Sequence, residues 1–106
     1  MMQAHNCGLP DGVLERLQVV FADYPEVQTV RLFGSRAKGN FRSGSDIDFC
    51  LEAPNLSATR RLQLETRIDD LLLPWRVDVV LDHEIDLPAL REHIQRVGLP
   101  LDSLLR

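Results

Sequence analysis

Only two cysteines, Cys7 and Cys50, occur in the chain, so neither a disulfide framework nor a cysteine-built zinc site is implied. No apolar run approaches the ~18 residues that a membrane span requires, so no membrane partner is expected. Met1–Pro10 lacks the basic and apolar stretches of a secretory signal. Export is therefore not expected, and a reducing, cytoplasmic setting fits the cysteine usage. Excess positive charge is also missing: 12 Lys and Arg against 16 Asp and Glu leave a net charge of -4. This balance argues against direct, long-range attraction to nucleic acid. The 106 residues suffice for one domain and leave no room for a second, and residues 1–10 are expected to form a flexible tail.

What is present has the periodicity of a folded α+β domain. Val13, Leu14, Leu17, Val20 and Phe21 recur at helical spacing over Asp11–Tyr24, with Asp11 as N-cap and Pro25 as the stop. Val27–Phe33 is β-branched and apolar and runs into Gly34, which predicts a strand and a tight turn. The segment Gly34–Ser45 follows with three glycines and the cations Arg36, Lys38 and Arg42. Asp46–Glu52 alternates Asp46, Asp48 and Cys50 with Ile47, Phe49 and Leu51, as a strand does. Ser57 can cap a helix from Ala58 to about Leu73, ended by Pro74. Arg76–Asp82 reads as a third strand and Asp86–Val97 as a last amphipathic helix stopped at Gly98. The expectation is a small mixed β-sheet covered by helices in αβαβαβα order, an α/β sandwich. Leu99, Leu101, Leu104 and Leu105 could close the core or form an interface.

The chemistry concentrates in three acids. Asp46 and Asp48 stand two apart on a strand and leave the same face. If the strand ending at Gly34 pairs antiparallel with theirs, Gly34 and Ser35 border both carboxylates. If the third strand runs parallel to the second, Asp78 near its start reaches the same end. Carboxylates a few Å apart repel by ~4 kcal/mol per pair at an effective dielectric of 20, and a divalent cation removes the conflict. Oxygen-only ligands suit Mg²⁺ or Mn²⁺, which keep positions for water and substrate phosphates. A nucleoside triphosphate is the expected substrate. Gly34 permits close backbone approach, Ser35 offers a hydroxyl and an amide, and Arg36, Lys38 and Arg42 can neutralise phosphate oxygens.

Gly34-Ser35, ten residues, then Asp46-Ile47-Asp48 resembles the Gly-Ser-x10-Asp-x-Asp pattern of DNA polymerase beta-type nucleotidyltransferases. Gly34–Gly39 with Ser45–Asp48 is similar to their minimal form, and the resemblance covers Val30 to about Leu101. It implies that Asp46, Asp48 and Asp78 are catalytic and bind two Mg²⁺ ions, with Asp78 as ligand and base. It implies that Gly34, Ser35, Arg36, Lys38 and Ser45 hold the nucleotide, with ATP as substrate. It also implies an antitoxin that adds AMP to a tyrosine of a HEPN-type toxin and could oligomerise with it. Two alternatives stand beside this: transfer to a small molecule such as an aminoglycoside, and simple occlusion of a partner without catalysis.

Blander readings cover the remaining polar residues. Asp82 is the substitute third acid if the strand register slips, although it falls at the far end. His5 and His93, in a tail and on an amphipathic helix, are surface histidines by default and receive no role. Trp75, beside Pro74, is expected to pack the helix-to-strand corner.

Overall fold

The computed structural model describes residues 7–105. The apolar stripe Leu14, Leu17, Val20 and Phe21 makes α1 (Asp11–Ala22), and all four side chains are buried. Pro10, rather than Asp11, stands at the N-cap position, so Asp11 is the first helical residue. β1 (Thr29–Phe33) leads directly into α2 (Gly34–Lys38), a single short turn of helix where a tight turn was expected, at the start of the glycine- and cation-bearing segment. β2 (Ile47–Glu52) follows. Ser57 then caps α3 (Ala58–Asp69) as its side chain predicts, accepting from the Arg60 N–H at 3.1 Å.

α3 ends four residues short of Leu73. Leu72 takes a left-handed conformation (φ 55°) that a helix cannot continue through, and Pro74 bars any resumption. β3 is Val77–Leu81, and a 3₁₀ turn over Asp82–Glu84 precedes α4 (Pro88–Val97). Proline is favoured at the first helical position, which moves the start of α4 from the expected Asp86 to Pro88. A two-residue strand, β4 (Leu99–Pro100), and a last turn, α5 (Leu101–Leu104), complete the chain.

The sheet order is β3-β2-β1-β4, with β2 and β3 parallel and the other pairs antiparallel. Strand alternation divides it into two faces. On one, Leu32, Ile47, Phe49, Leu51, Val79 and Leu81 pack under α1 and α3, with Phe49 edge-on to Phe21 at 5.2 Å. On the other, Phe33 and Cys50 pack against Ile94 of α4. Both cysteines are buried and unbridged, and burial pushes the Cys50 thiol pKa up, away from reactivity.

The structure revises one expectation about the ends and decides an open alternative at the other. Residues 1–6 of the expected tail, including His5, lie outside the described residues, but Cys7 and Leu9 are buried in the main core. At the other end Leu101 is 1% exposed, with Leu99, Leu104 and Leu105 packed around it, so these leucines close the core. Among the described residues, no helix is long and apolar enough to cross a membrane. Leu101→Ala should therefore destabilise the fold by about 2–5 kcal/mol, as deletion of a buried leucine side chain does, measurable as a lowered urea midpoint at unchanged slope.

Candidate active site

Strand pairing decides which polar side chains meet. Phe33 of β1 is opposite Asp48 of β2, and Asp48 is opposite Asp78 of β3. Paired positions share a face, so Asp48 and Asp78 are lateral neighbours, and Asp46 precedes them on the same side by alternation. Gly34 follows β1 immediately, with φ at 73°. A Cβ at this position would collide with Asp48 Oδ2. Glycine is thus required twice, for the left-handed backbone and for the closeness of the carboxylate.

Electrostatics tie the three acids together. Asp48 is half-buried, and its pKa is held above the ordinary value first by burial, then by the charges of Asp78 and Asp46, with Arg76 opposing. Arg76 Nε donates to Asp78 Oδ1 at 3.1 Å in an ion pair whose side chains are 75% and 39% exposed. Such a pair is screened and easily exchanged. Among the described residues no three metal-capable side chains stand close enough to hold an ion. The three acids share one end of the sheet without forming a closed cluster, and Asp78 is paired with Arg76. The donor set itself, hard carboxylate oxygens that make each other costly to ionise, fits a divalent cation.

The cationic segment behaves differently from its expected role. Arg36, expected at a phosphate, is 1% exposed and turned inward. Its Nη1 donates to the Cys7 carbonyl at 2.9 Å, Nε and Nη2 to that of Ser45 at 3.1 and 3.0 Å, and Nη2 to that of Ser43 at 3.2 Å. The rings of Phe41 and Trp75 lie 5.3 and 5.6 Å from its Cζ. Burial draws its pKa down from a very high ordinary value, which still leaves a guanidinium charged. Arg36 is a strut for the segment that delivers Asp46.

Ser45 also serves that segment, its hydroxyl oxygen accepting the Arg42 N–H at 2.8 Å. Trp75 packs the corner as expected and adds an indole N–H bond to the Ser43 carbonyl at 2.7 Å. Ser35 is half-buried at the start of α2, whereas Lys38 and Arg42 are exposed. Asp82 lies past the other end of β3, paired with Arg91 at 3.3 Å. His93, given no role from the sequence, accepts the Gly34 N–H at Nε2 over 3.1 Å. No local signal could have shown this contact, because 59 residues separate the partners.

Two stability outcomes follow from these contacts. A carboxyl with a raised folded-state pKa costs nothing below its unfolded pKa; the cost grows as pH rises toward the folded pKa and is complete above it. Asp48→Asn removes that cost, so its melting midpoint should exceed the wild type's at neutral pH, with the gap closing in acid; thermal melts across that range measure it. Arg36→Lys leaves one ammonium to serve carbonyls that a planar fork spans and should cost about 2–3 kcal/mol in urea unfolding.

The family model described as "Polymerase beta, Nucleotidyltransferase" matches residues 15–102. The protein named "Probable protein adenylyltransferase MntA" of Haemophilus influenzae is 39% identical over 83 residues, covering 76% of this chain and 68% of its own. A crystal structure of a toxin-antitoxin with AMP-PNP aligns over 88% of this chain and 73% of its own, at TM-score 0.65 and 26% identity. The fold is shared also with a chain of the tri-AMPylated Shewanella oneidensis HEPN toxin in complex with MNT antitoxin. That match has TM-score 0.62 and 23% identity and covers 84% of this chain and 68% of that one. Carrying the acids and the glycine on this sheet, and matching the family model over most of its length, the chain belongs to the polymerase beta nucleotidyltransferases.

Proposed function

We propose that this chain transfers AMP from ATP to a hydroxyl of a partner protein, a tyrosine of a HEPN-type toxin, and so acts as a cytoplasmic antitoxin. The observation that carries the reading is the lateral pairing of Asp48 with Asp78 at the strand ends where Gly34 abuts Asp48. Similarity to a protein named as an adenylyltransferase supports AMP as the group transferred. Likeness to a toxin-antitoxin structure with AMP-PNP supports ATP and a toxin partner.

In the proposed reaction the acceptor hydroxyl oxygen attacks the α-phosphorus in line. A new O–P bond forms, the bond to the β-phosphate oxygen breaks, and pyrophosphate leaves with its electron pair. Asp78, laterally paired with Asp48 and 39% exposed at its side chain, takes the hydroxyl proton. A recess of about 300 Å³ beside it, lined by Trp75, Arg76 and Asp69, leaves room for the acceptor to approach. Gly34 and Ser35 face the triphosphate, and the exposed Lys38 and Arg42 offer it counter-charge. Mg²⁺ or Mn²⁺, two ions held by Asp46, Asp48 and Asp78, would supply charge neutralisation to the attacking and leaving oxygens.

Incubating the chain with labelled ATP, Mg²⁺ and a HEPN-type toxin, and in a parallel reaction with an aminoglycoside in place of the toxin, tests this. Label should pass to the partner with wild type, and Asp46→Ala or Asp48→Asn should lower the rate by on the order of 10³-fold or more. Relief of toxicity by wild type and both variants alike, without label on the partner, would instead establish occlusion. Label on an aminoglycoside and none on the protein would establish the small-molecule reading.

A further inference from the structure

The Gly34 amide is the one point where the catalytic face and α4 are joined by a side chain-to-backbone hydrogen bond among the described residues. Gly34 lies beyond the last β1–β2 pair, Phe33 with Asp48, and opens α2, whose first N–H groups have no intrahelical acceptor. A backbone N–H that is neither in a ladder nor in a helix needs an acceptor from elsewhere. His93 Nε2 provides it at 3.1 Å.

The acceptor is delivered from a fixed position. Ile94, the next residue, is 3% exposed against Phe33 and Cys50, and the His93 ring stands edge-on to Phe33 at 6.1 Å. On its other side Gly34 has no space at all, because Asp48 Oδ2 occupies the volume a Cβ would need. The Gly34 backbone is thus held between an imidazole and a carboxylate. We propose that His93 is a positioning residue of the nucleotidyltransferase site: by accepting the Gly34 N–H it holds the Gly34–Ser35 backbone in register with Asp48, preset for the nucleotide. The kinetic consequence rests on the function proposed above, whereas the hold on Gly34 does not.

The test compares His93→Leu, which keeps bulk but has no acceptor, with His93→Gln, whose side-chain oxygen can accept. Amide exchange at Gly34, read by NMR on the whole chain without nucleotide, should quicken at least about tenfold in the Leu variant and stay slow in the Gln variant. In the transfer assay the nucleotide KM should rise roughly tenfold in His93→Leu, with kcat within about threefold of wild type, and His93→Gln should recover most of the loss. Unchanged Gly34 exchange in both variants would overturn the proposal, as would equal loss of transfer in both with exchange still slow. Should His93→Leu fail to fold, His93→Ala serves as the acceptor-free variant: Gly34 exchange faster than in His93→Gln supports the hold, and exchange as slow as in wild type refutes it. If wild type transfers no label, the function proposed above fails, and the exchange contrast still rules on His93.

Discussion

The lateral pairing of Asp48 with Asp78 is the constraint on which the site depends, and it is imposed by burial elsewhere on the same strands. β2 is central, and its other face carries Ile47, Phe49 and Leu51, each fully buried. A one-residue slip against β1 or β3 would drive these three side chains out of the core. The apolar face therefore sets the register, and the register sets which acids are neighbours. Hydrophobic burial thereby does the work of holding like charges together.

That placement has a cost, which is visible in Asp48. Burial and two neighbouring carboxylates oppose its ionisation, and Arg76 relieves only part of this from an exposed position. A domain with a stability of about 5–15 kcal/mol can carry such a site only if the rest of the fold is well satisfied. Among the described residues no buried side-chain polar atom lacks a hydrogen bond. The residue that unfavourable electrostatics penalise is also one proposed above to hold the metal, a compromise of the kind that stability and activity often strike.

Arg36 shows how a cation in a glycine-bearing, polar segment can serve the scaffold. Its fork reaches carbonyls on two chain segments, Cys7 near the beginning and Ser43–Ser45 just ahead of Asp46. Phe41 and Trp75 flank it, so the charge is enclosed by ring faces and carbonyl dipoles. The segment between α2 and β2 is glycine-bearing and polar, yet it is pinned at its exit. Asp46 consequently leaves a defined backbone and not a free loop.

Periodicity and punctuation in the sequence were enough to find α1, β1, β2, α3, β3 and α4, because each carries an unbroken apolar stripe or alternation bounded by glycine, proline or serine. They also placed Gly34, Asp46, Asp48 and Asp78 at one end on two conditions, antiparallel β1–β2 and parallel β2–β3 pairing, and the sheet meets both. The short elements α2, β4 and α5 were illegible, being too brief to show a period and existing through packing against longer ones. The side-chain roles in the segment after Gly34 were decided only by tertiary structure. Arg36 turns inward, Asp78 turns to Arg76, and His93 meets Gly34 across 59 residues, because such choices are set by which buried donors and acceptors happen to need partners once the layers have closed.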